Sequence, residues 1–406
     1  MATPDFRSST FLLDHAGQIM DFYYPACVNK ADGGYYNEYR DDGRITDAKT
    51  QHLVSTTRFI VNFSLAAGLF DRSDYRQAAV HGVDYLETAH YDTEHGGYYW
   101  VLDGRTPRDD SKQCYGHAFV LLAHASAAKA GIPGMAQKVA QTWDLLEERF
   151  WLPQDRLYAE EFTRDWTAIS DYRGQNCNMH MTEAMLAAFE ATGEQRYLDR
   201  AETLAHRICV ELAAQAGDLV WEHYGKDWKV DWDYNKDDPK HLFRPYGYLP
   251  GHMTEWTKLL LILERHSPKP WMLDKARHLY KTALANSADL EHGGLHYSFG
   301  PDGRLYDLDK YHWVLCETLA AAACLAVRTG ETRFWQDYDS LWAYSWKYQI
   351  DQKYGGWYRI TTPDGRRYDD LKSPPAKTDY HPFGACYEIL RATGHLKEGV
   401  AKAQLS

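Results

Sequence analysis

Counting along the chain brings together residues that could move protons on a small polar molecule. Five helix-like stretches end on a small or polar residue followed by glycine: Ala67-Gly68, Ala130-Gly131, Thr192-Gly193, Thr329-Gly330 and Thr393-Gly394. His180, Glu317 and His381 each lie 13 residues before their glycine, His117 lies 14 before and Arg58 lies 10 before. A sixth stretch, Gly251 to about His266, lacks the glycine but carries His252 at its start. If these helices stand side by side in a ring, residues at the same height meet at one mouth. Histidines beside an arginine and a glutamate can supply general acid–base chemistry and hold a developing negative charge.

Three segments carry most of the signal. In Asp171–His180 the run Asn176-Cys177-Asn178-Met179-His180 is followed by Glu183. Helical spacing puts His180 and Glu183 on one face, where the carboxylate can fix the imidazole tautomer. Asn176 and Asn178 also read as helix N-caps. In Pro250-Gly251-His252-Met253-Thr254-Glu255-Trp256, Pro and Gly set a helix start, and His252 with Glu255 repeats the spacing of His180 with Glu183. A di-metal carboxylate site uses the opposite order, Glu-x-x-His, and two more glutamates. No metal and no cofactor are therefore expected. The polar and aromatic run Asp231–Asp238 is too long for a tight turn and reads as a loop over the site. Lys377–His381 opens the last inner helix, next to Arg58 if the ring closes. Arg58 itself lies in the apolar stretch Leu53–Leu69, and a buried arginine needs partners. Tyr115 with His117, and Trp313 with Glu317, recur at the same end of their helices.

The elements that must position these groups repeat. Aromatic stations recur at Gly34, Gly97, Leu157, Val220, Gly294 and Gly356, in steps of 63, 60, 63, 74 and 62 residues. A fixed period of this size marks a repeated supersecondary unit. His52–Phe70 and Tyr115–Gly131 are apolar nearly all round, as inner helices are. Asp74–His90, Met135–Phe150, Gln195–Leu212, Leu273–Ala285 and Thr332–Tyr348 are amphipathic, as an outer layer is. Each unit reads as outer helix, short β-like turn and inner helix, with glycine supplying the left-handed cap that ends the inner helix. Six units predict an all-α (α/α)6 toroid of helical hairpins with short β connections. No linker or low-complexity tract interrupts residues 1–406, so a single catalytic domain is expected.

Composition removes other classes. A net charge of −12 argues against nucleic acid or an anionic membrane as partner. No apolar run is long enough to span a bilayer, and the chain does not open on a basic stretch followed by an apolar one, so a cytoplasmic location is expected. The seven cysteines are scattered without a CxxC pair, as free thiols in a reducing compartment are. An aromatic content of 14% exceeds what a core needs, so rings should line a concave surface. There is no glycine-rich phosphate loop and no nucleophile-plus-base signature. Aromatic walls with histidines, Arg, Asn and Glu suit proton transfer on a monosaccharide, the expected small-molecule partner of a monomer or homodimer.

At these residues the chain resembles the N-acylglucosamine 2-epimerase family of (α/α)6 sugar isomerases and epimerases. The similarity is most specific over Tyr172–His180, Asp233–Pro239, Pro250–Trp256 and Asp379–His381. The Asn-x-Asn-Met-His stretch, the Asp-Tyr-Asn-Lys-Asp loop with its His-x-Phe-Arg, and Thr57-Arg58 look like the mannose and sulfoquinovose isomerase branch, which turns aldoses into ketoses without metal. By this resemblance His381 moves a proton between C2 and C1 through a cis-enediol, and His252 assists ring opening. Arg58, Asn176, His180, Glu255, Trp313 and Glu317 then bind sugar, with Tyr115 and His117 added by their position. A sulfonated substrate implies a second basic residue near Arg244, where this chain has Leu242. A neutral hexose is therefore expected, with D-mannose and D-fructose interconverted. A sugar 2-epimerase shares the same intermediate and stays open. So do a glycoside hydrolase using Glu255 and Glu317, and a non-catalytic sugar-binding toroid.

Overall fold

Long helices with no polar face can exist only where neighbours cover them on every side. Six helices of this chain meet that condition. The computed structural model describes residues 4–241 and 243–396. It contains α1 Ser9–Tyr23, α2 Leu53–Leu69, α3 Ser73–Tyr85, α4 Cys114–Lys129, α5 Met135–Arg149, α6 Gln175–Thr192, α7 Gln195–His206, α8 Pro250–His266, α9 Pro270–Ser287, α10 His312–Thr329, α11 Thr332–Tyr348 and α12 Tyr380–Ala392. The even-numbered helices form the inner ring, each packed on the next, and α12 packs back on α2. In α10 every residue from Val314 to Ala326 is buried. The odd-numbered helices lie outside and turn one face inward, as in α7 with Tyr197, Leu198, Ala201, Leu204 and Ala205. Each such apolar side chain contributes roughly 1.5–3 kcal/mol if fully buried.

The pairing within units differs from the expected one. Each inner helix packs on the outer helix that follows it, α2 on α3 and so on to α10 on α11. The last inner helix takes its cover from α1, a helix absent from the expected outer-layer stretches. The short β segments also join neighbouring units rather than staying within one. Residues just before each inner helix pair antiparallel with the next connection round the ring: His52 with Val101, Gln113 with Glu161, Gly174 with His223, Tyr248 with Phe299 and Tyr311 with Ile360. Ser373 before α12 pairs with Tyr39 before α2, which closes a collar around one mouth.

Gly193 and Gly330 cap α6 and α10 in the left-handed conformation, as expected. Gly68 does not. It lies within the last turn of α2, and the left-handed residue there is Asp71. At the end opposite the collar, Glu190 of α6 receives Lys129 of α4 (2.7 Å), His266 of α8 (3.1 Å) and Arg391 of α12 (2.6 Å). Cations suit these helix C-termini, where the backbone dipoles leave partial negative charge. All six inner helices thus run parallel, with their N-termini at the collar. No helix among the described residues is long and apolar enough to cross a membrane.

Candidate active site

Parallel inner helices place their first turns at one level, and side chains from all six converge there. His381, the second residue of α12, is buried between Glu317 of α10 and Arg58 of α2. Its Nδ1 lies 2.7 Å from Glu317 Oε1, and its Nε2 lies 3.5 Å from Arg58 Nη2. Arginine can only donate. The lone pair therefore belongs to Nε2, and Nδ1–H donates to the glutamate. Burial, followed by the charge of Arg58, pushes His381 well below the ordinary imidazole range. It stands as a neutral base.

Arg58 is fixed on several sides. One guanidinium nitrogen donates to the Ala376 carbonyl, the other to Tyr115 Oη at 3.1 Å, and the group lies over the rings of Phe119 and Tyr380. The segment leading to His381 is strained, with Ala376, Thr378 and Asp379 all at positive φ. Such conformations persist where the surroundings over-determine them. Here α2 supplies the restraint. Ser55 Oγ accepts from Ala376 N (2.7 Å) and Asn62 donates to the Thr378 carbonyl (3.0 Å). Asp379 accepts from Trp357 N (3.1 Å) and binds the Lys377 ammonium.

His252, at the third residue of α8, sits on the other side of the Trp313 ring. Ring centres are 5.0 Å apart for His252 and 5.8 Å for His381. Its carboxylate partner is not the expected Glu255. Nδ1 lies 2.9 Å from Glu222 Oε2, brought in by the collar segment before His223. Gln175 fixes the pair: Trp256 Nε1 donates to its Oε1 (2.8 Å), so its Nε2 donates to Glu222 (3.0 Å). Gly251 makes room for Trp313, since a Cβ there would come within 2.7 Å of Cη2. Gly251→Ala is expected to displace Trp313 and cut kcat/KM roughly ten- to a hundredfold, because misplacement of about 1 Å is that costly. Steady-state kinetics with near-UV circular dichroism would check it; unchanged kinetics would remove Trp313 from the site.

His180 makes a third imidazole–carboxylate pair, Nδ1 to Glu183 Oε2 at 3.0 Å, and Tyr115 stands edge-on to its ring. Despite burial, His180 together with Lys258 and Tyr380 holds the Glu183 carboxyl down at about 2. Glu255 is buried 4.0 Å from His180, and neither of its oxygens has a hydrogen-bond partner among the described residues. Burial and the Glu317 charge push it well up. Asn176 Oδ1 is likewise buried without a partner. Neither Asn176 nor Asn178 is an N-cap: α6 starts at Gln175, and Asn178 bonds the Tyr158 backbone.

His117 does not join the group. Its Nδ1 bonds the Gln113 carbonyl (2.8 Å) and its Nε2 accepts from Tyr98 N (3.0 Å), so both ring nitrogens hold the collar to α4. The expected loop over the site is anchored at the rim. Tyr234 stacks on Tyr172 and His223, each 4.7 Å away, and Arg244 Nη1 donates to its hydroxyl at 3.1 Å. Leu242 lies outside the described residues. Below the cluster, a cavity of about 120 Å³ inside the ring reaches from Glu183, Lys258, Glu317 and His381 toward Lys129 and Glu190.

Two groups of donor atoms lie close enough to share an ion, His180–Glu183–Glu255 and Glu255–Glu317–His381. Their lone pairs are committed. Lys258 Nζ holds Glu317 Oε2 at 2.5 Å, Tyr380 Oη donates to Glu183 (2.7 Å), and both imidazoles turn a protonated Nδ1 to their glutamates. This donor set fits hydrogen bonding better than metal coordination. Glu222, Gln175 and Lys258 were missed in the sequence. Lys258 follows Glu255 by three residues, a spacing that could have marked it; Glu222 and Gln175 carried no signal of their partners.

Known proteins share both chain and fold. A D-mannose isomerase of Marinomonas mediterranea is 48% identical over 392 residues, which is 96% of this chain and 99% of that one. A D-mannose isomerase of Thermobifida fusca is 38% identical over 312 residues, covering 74% of this chain and 73% of its own. The crystal structure of a D-mannose isomerase, 48% identical, superposes with a TM-score of 0.94 over 96% of this chain and all of that one. The sequence profile of the N-acylglucosamine 2-epimerase family matches residues 34–385. With that match joined to the closed (α/α)6 ring, the chain belongs to the N-acylglucosamine 2-epimerase family.

Proposed function

We propose that this enzyme is an aldose–ketose isomerase that interconverts D-mannose and D-fructose through a cis-enediol, by histidine acid–base catalysis. The observation that carries the reading is His381, a buried neutral base with its Nε2 lone pair beside the Arg58 cation. The proton next to a carbonyl becomes acidic when the oxygen of the forming enediolate meets a fixed positive charge. Nε2 takes the proton from C2 and returns it to C1, while Arg58 and the helix N-termini face the oxyanion. His252, fixed by Glu222, accepts the anomeric hydroxyl proton and passes it to the ring oxygen, which opens the pyranose. Trp313, between the two histidines, covers a face of the sugar. Asn176, His180 and Glu255 bond its hydroxyls, and the unpartnered oxygens of Asn176 and Glu255 support this. The 48% identity to a D-mannose isomerase over nearly the whole of both chains supports the same substrate.

The test is incubation with mannose, glucose, cellobiose, N-acetylmannosamine and sulfoquinovose in deuterated water containing EDTA, with products read by NMR. Fructose should form from mannose, with activity unaffected by the chelator. Glucose as the main product from mannose would make the enzyme a 2-epimerase. Turnover of cellobiose or sulfoquinovose at about a hundred times the mannose rate, a preference of nearly 3 kcal/mol, would overturn the substrate.

A further inference from the structure

Lys258 has no part in the reading above, yet it is the ammonium at the centre of the cluster. It lies on α8, one turn below Glu255 and nearly two below His252, and is almost wholly buried. Its Nζ lies 2.5 Å from Glu317 Oε2 and 3.7 Å from Glu255 Oε1. The other oxygen of Glu317 accepts from His381 Nδ1. Lys258, Glu317 and His381 thus form an unbroken line from ammonium to imidazole, ending at the Nε2 lone pair.

We propose that Lys258 is the positioning residue that keeps Glu317 an anion, and so keeps the His381 proton on Nδ1 and its lone pair on Nε2. The argument is one of proton placement. A buried carboxyl tends to become neutral. A neutral Glu317 could donate its own proton to Nδ1, which would leave the imidazole proton on Nε2 and remove the base. Burial does lift Glu317, and the largest force opposing that lift is Lys258. Lysine suits the task because it is a compact charge with no acceptor of its own. Its own proton is secure, since Glu317, Glu255 and Glu183 together raise it above the ordinary lysine range despite burial. The groups facing His381 are Arg58 on α2, His180 and Glu183 on α6, His252, Glu255 and Lys258 on α8, and His312 and Glu317 on α10. Among these, Lys258 is the cation that bonds the glutamate paired with His381.

The inference rests on His381 being the base, and the experiment separates the two. The readouts are kcat/KM for mannose against pH, exchange of the C2 proton with deuterium, and ¹⁵N-histidine spectra of the full-length enzyme, with the His381 signals assigned by their loss in His381→Asn. In the wild type the spectra should show a proton on Nδ1 and none on Nε2. In Lys258→Met the acid limb of kcat/KM should move up by about one pH unit or more, because the His381–Glu317 pair gains protons more readily without the ammonium. Neutral-pH activity should fall at least about tenfold and recover in part at alkaline pH. Lys258→Arg, which keeps the charge, should hold the limb near its original place. A uniform loss at every pH in Lys258→Met, with the limb unmoved, would reduce Lys258 to a structural ion and overturn the proposal. So would a wild-type proton on Nε2, and that measurement stands even if Lys258→Met fails to fold. If His381→Asn retained exchange, the assignment of the base would fall instead.

Discussion

His381→Asn should abolish both isomerisation and exchange of the C2 proton with solvent deuterium. Asparagine keeps a polar group near Glu317 but offers no basic nitrogen, and losing a general base costs roughly 10²–10⁴-fold or more in rate. The fold should survive, since the removed ring is held by one carboxylate and one guanidinium rather than by the apolar core. The pH dependence carries a sign. Burial and Arg58 lower the proton affinity of His381, so the neutral base persists as pH falls through the ordinary imidazole range. Activity should be lost only below that range, as pH passes the lowered folded value. An acid limb of kcat/KM near 6.5, the ordinary value, would contradict this placement. So would any H381N enzyme that still exchanged its substrate proton.

His252→Asn should be impaired by about 10²-fold or more on mannose, for a different reason. Its Nδ1 is tied to Glu222 and its ring lies against Trp313, away from the Arg58 cation. That geometry serves oxygen protons, not the carbon acid. A short open-chain 2-hydroxyaldehyde has no ring to open, so the His252 variant should process it at near the wild-type rate while the His381 variant does not. Comparing both variants on the cyclic and open-chain substrates checks the division of labour. Rescue of His381→Asn alone would exchange the two roles, and near-full activity of both on mannose would place the reaction elsewhere.

Much of this arrangement was legible in the chain because helix ends are written locally. A C-terminal glycine and a periodic apolar run need no distant partner, so the six inner helices and the height of Arg58, His180, His252, Glu317 and His381 on them follow from spacing. Height is not direction, however. His117 stands at the right level, but its ring nitrogens are taken by backbone groups of the collar. The partner of His252 went wrong for a related reason. An i, i+3 glutamate was at hand in the sequence, but the collar pairing of Gly174 with His223 brings Glu222 to the ring instead. Contacts made through such two-residue ladders leave no periodicity to detect. The outer cover of α12 was missed because it comes from the far end of the chain.

That last contact, α1 on α12 with Tyr39 paired to Ser373, has a consequence during synthesis. The apolar face of α1, with Leu12, Ala16, Ile19, Met20 and Tyr23, leaves the ribosome long before the helix it must cover. Until α12 arrives, a nascent chain carries an orphaned apolar helix at its front and an unfilled place in its ring, the kind of exposed surface that chaperones hold. His381 arrives on that same final helix. The chain therefore acquires its base and shelters its first helix in one docking event, and an incomplete copy has neither.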